Sequence, residues 1–308
     1  FSWAKSKLIV GVSIDVSPQN YFAKYIAITK DLTLNKYVSY IQPNPDSLLR
    51  KYNTNIQNTA TYIDYEISPL KRLKVVFAYR ADFYKYDFVN QLVPSSSTGA
   101  PNTKTTFQKV APKIGFTYNF DRMGFYGNYA EGFVPPQITE LYNTSSVPYL
   151  LPQEFSSKEI GGWVSIIPNK LFFDFSAYVM YGNNEIIAVK SSDGTTVNQN
   201  AGATKHIGVE YALHYKHNNE LEFNFNGANV RHTYLQYVLS GINYNGKSMS
   251  AAPSFQSNAS LIYRPRYIKG YRIAYEWQHQ SKYFMDDMNQ NKYNGFDIHN
   301  IRMGYQLN

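Results

Sequence analysis

Long segments of alternating apolar and polar residues run the length of the chain, and the connections between them alternate too: short, then long, then short. Short joints fall at residues 68–71, 121–123, 168–170, 216–220 and 265–270. Between them lie long polar stretches at 89–107, 134–154, 191–205, 239–253 and 287–295. Successive antiparallel strands visit the two ends of a sheet in turn, so this rhythm puts the short turns at one end and the long loops at the other. A meander in water has no reason to sort its turns in this way. An outer-membrane barrel does, with short periplasmic turns and long extracellular loops. The predicted fold class is all-β: a transmembrane antiparallel up-and-down β-barrel in the bacterial outer membrane.

The alternation gives the two faces. Leu73, Val75, Phe77, Tyr79 and Ala81 interleave with Lys74, Val76, Ala78, Arg80 and Asp82. Ile207, Val209, Tyr211, Leu213 and Tyr215 interleave with Gly208, Glu210, Ala212, His214 and Lys216. Leu221, Phe223 and Phe225 interleave with Glu222, Asn224 and Asn226, and Ile273, Tyr275 and Trp277 with Arg272, Ala274, Glu276 and Gln278. A barrel turns the oily face to lipid and the polar face to the lumen. Twelve strands are predicted, at 7–17, 56–67, 72–88, 108–120, 124–133, 155–167, 171–190, 205–215, 221–238, 254–264, 271–286 and 296–307. Several exceed the roughly 9–11 residues that a tilted strand needs to cross the hydrocarbon core, so they extend above it. A strand-like stretch at 21–29 is assigned to a long loop, and 137–142 to one turn of helix. Residues 1–308 read as part of a single barrel domain, with no boundary and no repeat in the solenoid range.

Composition supports the same class. The 29 Tyr and 19 Phe suit membrane–water boundaries. Tyr118, Phe120, Phe125, Phe172, Tyr215, Tyr263, Tyr267 and Tyr271 crowd the short-turn end, and Tyr84, Tyr86, Tyr181, Tyr234, Tyr237 and Tyr283 the long-loop end. The absence of Cys excludes disulfides and thiolate chemistry. Net charge is +8, but the basic residues are scattered and form neither a run nor a helical stripe, which argues against nucleic acid. Basic loops facing an anionic lipid surface, including lipopolysaccharide, or an anionic ligand fit better.

No residue set points to catalysis or a cofactor. His206, His214, His217, His232, His279 and His299 form no helical ligand pair, so no metal site is expected. Asp287-Met288-Asn289-Gln290-Asn291 opens like a calcium loop, but Lys292 stands where Gly should turn and Ile298 where Glu should ligate. A lipid-facing hydrolase would need a Ser–His contact, and Ser176 and His214 are the pair that spacing leaves open. Binding is the better expectation. Lumenal and loop residues with hydrogen-bonding heads include Arg80, Asn128, Glu131, Tyr142, Arg231, His232, Gln278 and His279. Of these, Tyr142, Arg231, His232, Gln278 and His279 are the ligand-binding candidates: Arg for an anionic group, Tyr for packing on a ring.

Tyr126-Gly127-Asn128-Tyr129-Ala130-Glu131-Gly132-Phe133-Val134-Pro135-Pro136-Gln137 resembles the C-terminal barrel of TonB-dependent outer-membrane receptors, ferric-siderophore receptors in particular. Ser157-Lys158-Glu159-Ile160-Gly161-Gly162 and the 200–210 segment, Asn200-Ala201-Gly202 through Gly208-Val209-Glu210, resemble further family segments in the right order, in the style of Bacteroidetes-type members. The resemblance covers nearly all of the chain. It implies a barrel of about 22 strands, an N-terminal plug in the lumen, ligand capture at the extracellular face, and energy from a TonB–ExbB–ExbD complex acting on the plug. About twelve strands are present here, without plug or TonB box, and the chain ends in Leu307-Asn308 where such barrels end in an aromatic residue. A fragment is therefore expected. Glu131, Pro135 and Pro136 are read as marking a strand's exit into a loop, since proline cannot donate to a ladder. Gly161, Gly202 and Gly208 are read as allowing tight packing or a bulge.

The leading expectation is a receptor for a ferric siderophore or similar chelate, contacted by loops 134–153, 231–252 and 278–295, with a surface lipoprotein as a further partner. A second is a self-contained twelve-stranded passive channel, which requires 7–17 to pair with 296–307, and a third is the membrane-embedded hydrolase with its Ser–His contact. TonB-dependent uptake of a non-iron substrate such as cobalamin, a glycan or a peptide is the further alternative.

Overall fold

The computed structural model describes residues 5–41, 48–190, 196–239 and 241–307. Twelve strands form one antiparallel sheet in chain order. They are β1 (Lys5–Lys24), β2 (Leu48–Leu70), β3 (Leu73–Asn90), β4 (Thr103–Asn119), β5 (Met123–Val134), β6 (Gln153–Ile167), β7 (Leu171–Lys190), β8 (Thr196–Lys216), β9 (Leu221–Gln236), β10 (Phe255–Tyr263), β11 (Tyr271–Gln280) and β12 (Phe296–Tyr305). Among the described residues β1 and β12 are the two edges and do not pair with each other. The self-contained channel needed that closure, so this expectation is corrected: the wall is open on both sides.

Register assigns each side chain to a face. Tyr62 pairs with Arg80, Ala60 with Asp82, and Asp82 in turn with Lys109. One residue along, Ile63 pairs with Tyr79 and Phe77 with Ile114. Pleating keeps these two sets on opposite faces. The polar face carries an ionic lattice: Arg80 donates twice to Asp82 at 2.7 and 2.8 Å, with Asn58 adding a third bond at 3.0 Å. Further along, Tyr126 and Asn128 both donate to Glu159, at 2.7 and 3.1 Å, and Arg264 pairs with Glu222 at 3.1 Å. The apolar face is bare and carries exposed Val10, Ile14, Phe77, Ile114, Ile160 and Ile301. Near the short turns Tyr118 stacks on Phe125 with 5.6 Å between centroids. The loop-end aromatics do not all form a matching belt. Tyr84, Tyr86 and Tyr234 lie in register with polar-face residues such as Asn58, Ile56 and Thr204, while Tyr181 is on the apolar face under the Lys205 ammonium.

Two local features follow from residue type. Glycines face aromatic residues directly across the ladder: Gly11 with Tyr62, Gly124 with Trp163, Gly161 with Tyr126, Gly208 with Tyr178 and Gly227 with Tyr211. In each pair the ring lies where a Cβ would stand, less than 3 Å from it. The missing side chain is thus replaced by a neighbour's ring. The second feature is a seam. β4 and β5 pair only from Lys113/Ala130 down to Asn119/Gly124. Pro112, next in β4, has no N–H to offer, and above it the two strands separate.

β1, β2, β4 and β8 are longer than the alternation suggested, mostly at the loop end, while β9 to β12 are shorter, β11 ending at Gln280 and not at 286. β1 runs on to Lys24, and residues 21–29 are split between its end and a hairpin, Ala27–Asp31 with Lys36–Ile41. Part of the long stretch at 191–205, residues 191–195, lies outside the described residues. Among the described residues the one helix, α1, is Ile138–Tyr142, capped by reciprocal Gln137–Glu140 bonds.

Candidate functional site

The loop end of the polar face is where the buried residues gather. The 135–152 connection folds across the upper ends of β2, β3 and β4 and brings α1 onto them. Tyr142 stacks on Phe88, with centroids 4.3 Å apart and planes at 11°. Its hydroxyl bonds Thr105 at 2.8 Å, and its carbonyl accepts the Ala100 N–H at 3.0 Å. Leu141, Leu150, Tyr86 and Phe107 complete the cluster. Tyr142 is 2% exposed, and burial raises its phenol above the usual range. Arg50 ties the cluster down, bonding Asn143 through its guanidinium and the Ser97 carbonyl at 3.2 Å. On the far side Asn198 donates to the Glu140 carbonyl at 2.8 Å.

A second cluster locks the 237–254 connection to the 281–295 connection. Asp287 is its centre. It accepts from Tyr234 at 2.8 Å, Ser250 at 2.6 Å and Tyr237 at 3.5 Å. Lys247 donates to the Met288 carbonyl at 3.0 Å, and Asn289 exchanges bonds with the Ser248 backbone at 2.9 and 2.8 Å. Tyr237 sits between Tyr234 and Tyr244, with centroids 4.7 and 4.9 Å away. Burial, with the Asp287 carboxylate next, raises the Tyr237 phenol. Beside this cluster, Asp286 closes its own turn by accepting the Gln290 and Asn291 backbone N–H groups at 3.1 and 2.7 Å. Those bonds hold its carboxyl below the usual range. Both aspartates of the 286–291 stretch are thus engaged by protein donors.

Between the two clusters, His206 and His232 meet on the polar face, Nδ1 to Nδ1 at 2.6 Å. Among the described residues no three His, Cys, Asp or Glu side chains converge.

The five residues singled out for ligand binding do not form one site. Tyr142 is engaged in packing by both ring and hydroxyl. His232 and Gln278 are on the polar face, in register with His206 and Asn258. Arg231 and His279 are on the apolar face, in register with Ile207 and Ser257. His279 bonds Asp297 at 2.9 Å, which also accepts from Trp277 at 2.8 Å. Glu131, expected in the lumen, is also on the apolar face, where it accepts from the Tyr129 hydroxyl. Arg80 and Asn128 are on the polar face. Val134 ends β5, and Pro135 and Pro136 follow it. Gly202 sits in a register break between β7 and β8. Ser176 and His214 are four positions apart along the β7–β8 ladder, about 13 Å, and His214 bonds Asn224 instead. The sequence reading missed Asp287 as a hub and His206 as a partner of His232. Aromatic density at 234–244 was the available signal for the first, and nothing local signals the second.

The sequence matches the profile of a family described as TonB dependent receptor-like, beta-barrel, over residues 7–308. No curated protein matches it. Among solved structures it resembles the siderophore receptor PiuA from Acinetobacter baumannii, with a TM-score of 0.75 at 14% identity over 100% of this chain and 48% of that one. It also resembles the ferric-catecholate import receptor Fiu from K12 E. coli (0.72, 14%, 99% and 46%). A third is the ferric citrate transporter FecA in unliganded form (0.75, 15%, 100% and 45%). The chain spans about half the length of these structures.

Proposed function

Because the chain belongs to the TonB-dependent receptor-like β-barrel family, we propose that it forms twelve consecutive wall strands of a receptor that imports a ferric siderophore or a similar metal chelate. The family is one of bacterial outer-membrane transporters, not enzymes. In this reading β1 and β12 are bordered by further strands of the complete barrel. Their bare edges support it: Val12 is 65% exposed and Met303 67%, and unpaired edges of this length invite aggregation. A plug occupies the lumen against the polar face, and TonB–ExbB–ExbD acts through it.

The observation that carries the ligand assignment is the pair of ordered loop clusters at one end of the polar face. A receptor that captures a rigid chelate from dilute solution gains from loops ordered beforehand, because less conformational entropy is lost on binding. The aromatic and amide-rich surfaces there suit a planar, oxygen-rich ligand. Of the candidates, His232 and Gln278 keep polar-face positions from which to reach it.

Calorimetric titration of the full-length receptor against ferric catecholate, ferric hydroxamate, ferric citrate and cobalamin tests the reading. One iron chelate is expected to bind, and cells lacking TonB are expected not to accumulate it. Binding of cobalamin, a glycan or a peptide with no iron chelate bound would replace the iron assignment and leave the fold untouched.

A further inference from the structure

Three side chains with soft or borderline donor atoms fall in one row of the polar face. Met180 of β7 pairs with His206 of β8, which pairs with His232 of β9. Residues paired in this way point to one side, with Cβ atoms about 4.5–5.5 Å apart. The two imidazoles already converge, with Nδ1 atoms 2.6 Å apart and ring planes at 66°.

The hydrogen bonds around them fix the tautomers. Glu185 only accepts, so the Thr204 hydroxyl donates to it. Thr204 Oγ1 then accepts from His206 Nε2 at 3.0 Å. With its proton on Nε2, His206 presents a lone pair at Nδ1, to which His232 donates. A histidine whose outer N–H is held by an acceptor, leaving the other nitrogen aimed at a neighbouring ligand, is in the state that metal-binding histidines adopt.

The row also selects the ion. With metal–nitrogen bonds of about 2.0–2.1 Å, two tetrahedral nitrogens stand roughly 3.3 Å apart. The rings therefore need to part by about 0.7 Å, while the His232 proton moves to Nε2 and leaves Nδ1 free. No carboxylate stands in the row, which disfavours hard ions, and the third donor is a thioether, which favours copper(I). On this face the rows next above and below carry no Lys or Arg, and Glu159 lies one row down; Lys158, Lys205 and Arg231 of the intervening rows are on the opposite face.

We propose that Met180, His206 and His232 form a copper(I) site on the lumenal wall, oriented by Thr204 and Glu185. It shares His232 with the candidates for chelate contact, but its failure is separable from failure of the chelate reading, because Met180 and His206 take no part in that reading.

The test uses untagged full-length receptor in detergent micelles, with copper(I) kept reduced by ascorbate and competed by bicinchoninate. Wild type is expected to withdraw one more equivalent of copper than the His206→Ala, His232→Ala double variant. Thr204→Val, which keeps all three ligands, is expected to bind about 10–100-fold more weakly. Equal copper uptake by wild type and double variant overturns the site. X-ray absorption on wild type needs no variant to fold: a copper–sulphur shell supports the site, and a shell of nitrogen and oxygen alone overturns it.

Discussion

Gly208→Ala tests the idea that the wall is stiffened by rings laid over glycines. A Cβ at position 208 would stand 2.5 Å from Cζ and 2.7 Å from Cε1 of Tyr178, its direct partner across the ladder. Carbon atoms rest about 3.5–4.0 Å apart, so the ring must retreat by roughly 1 Å. Overpacking of this kind costs about 1–3 kcal/mol, of which about 0.4–1 is returned because alanine restricts the unfolded chain. A net loss of roughly 1–2 kcal/mol is expected. Tyr178→Ala alone uncovers Gly208 and is expected to cost about 2 kcal/mol, below the range for a fully buried ring because Tyr178 is half-buried. In the double variant the new methyl no longer meets a ring and fills part of the space. The two changes should then cost less together than the sum of their separate costs, by about 1 kcal/mol or more. Gly132→Ala is the control, since nothing lies within 4 Å of its Cβ position. The assay is urea unfolding of the full-length receptor in lipid vesicles, followed by tryptophan fluorescence. Strict additivity of the two changes, or equal losses at 208 and 132, would refute the reasoning.

Other expectations follow from the loop end and the wall. Tyr142→Ala removes a ring that is 2% exposed and should free α1 from Phe88, so limited proteolysis within 135–152 should accelerate while the strands stay protected; Tyr142→Phe, losing one hydrogen bond, should cost only about 1 kcal/mol. Asp287→Ala leaves Tyr234 and Ser250 without their acceptor, and hydrogen exchange should rise in both 237–254 and 281–295, because the carboxylate joins them. The Asp286 carboxyl is lowered in the folded turn, so its contribution is complete above the free aspartate value near 3.9 and is lost as pH falls through the folded value. Protection of the Gln290 and Asn291 amides, measured against their intrinsic exchange rates at each pH, should therefore fall only on acidification, and Asp286→Asn should abolish that dependence. Arg80→Ala strands a carboxylate that is 5% exposed, so it should destabilise the wall by more than the Arg80→Ala, Asp82→Ala double change does, as read by the same urea titration.

Much of the binding surface was legible only in part. The face of Arg231 could be read from the alternation, since it shares parity with Phe223 and Phe225 on β9, and the structure puts it on the apolar side in register with Ile207. Tyr142 could not be read. A tyrosine in a polar connection suits ligand contact and packing equally well, and only the fold of 135–152 across Phe88 decides between them. The loop-side ends of β1, β2, β4 and β8 were also under-read, because above the membrane both faces are wet and pairing continues through backbone bonds with no apolar signature.

The amino-acid order alone determined the sheet: twelve strands, their sequence of neighbours and the end that bears the long loops, while Glu131, Arg231 and His279, read among the lumenal and loop residues, face the apolar side. A period of two fixes a side chain's face once its strand is recognised, and connection length fixes the direction of travel. The three-dimensional structure decided which distant residues meet. His206 finds His232 and Met180, Asp287 gathers Tyr234 and Ser250, and β4 parts from β5 above Pro112. Those outcomes depend on the register of whole ladders and on how loops fold back over them. Register is set by the summed pairing of entire strands, which no local stretch of sequence contains.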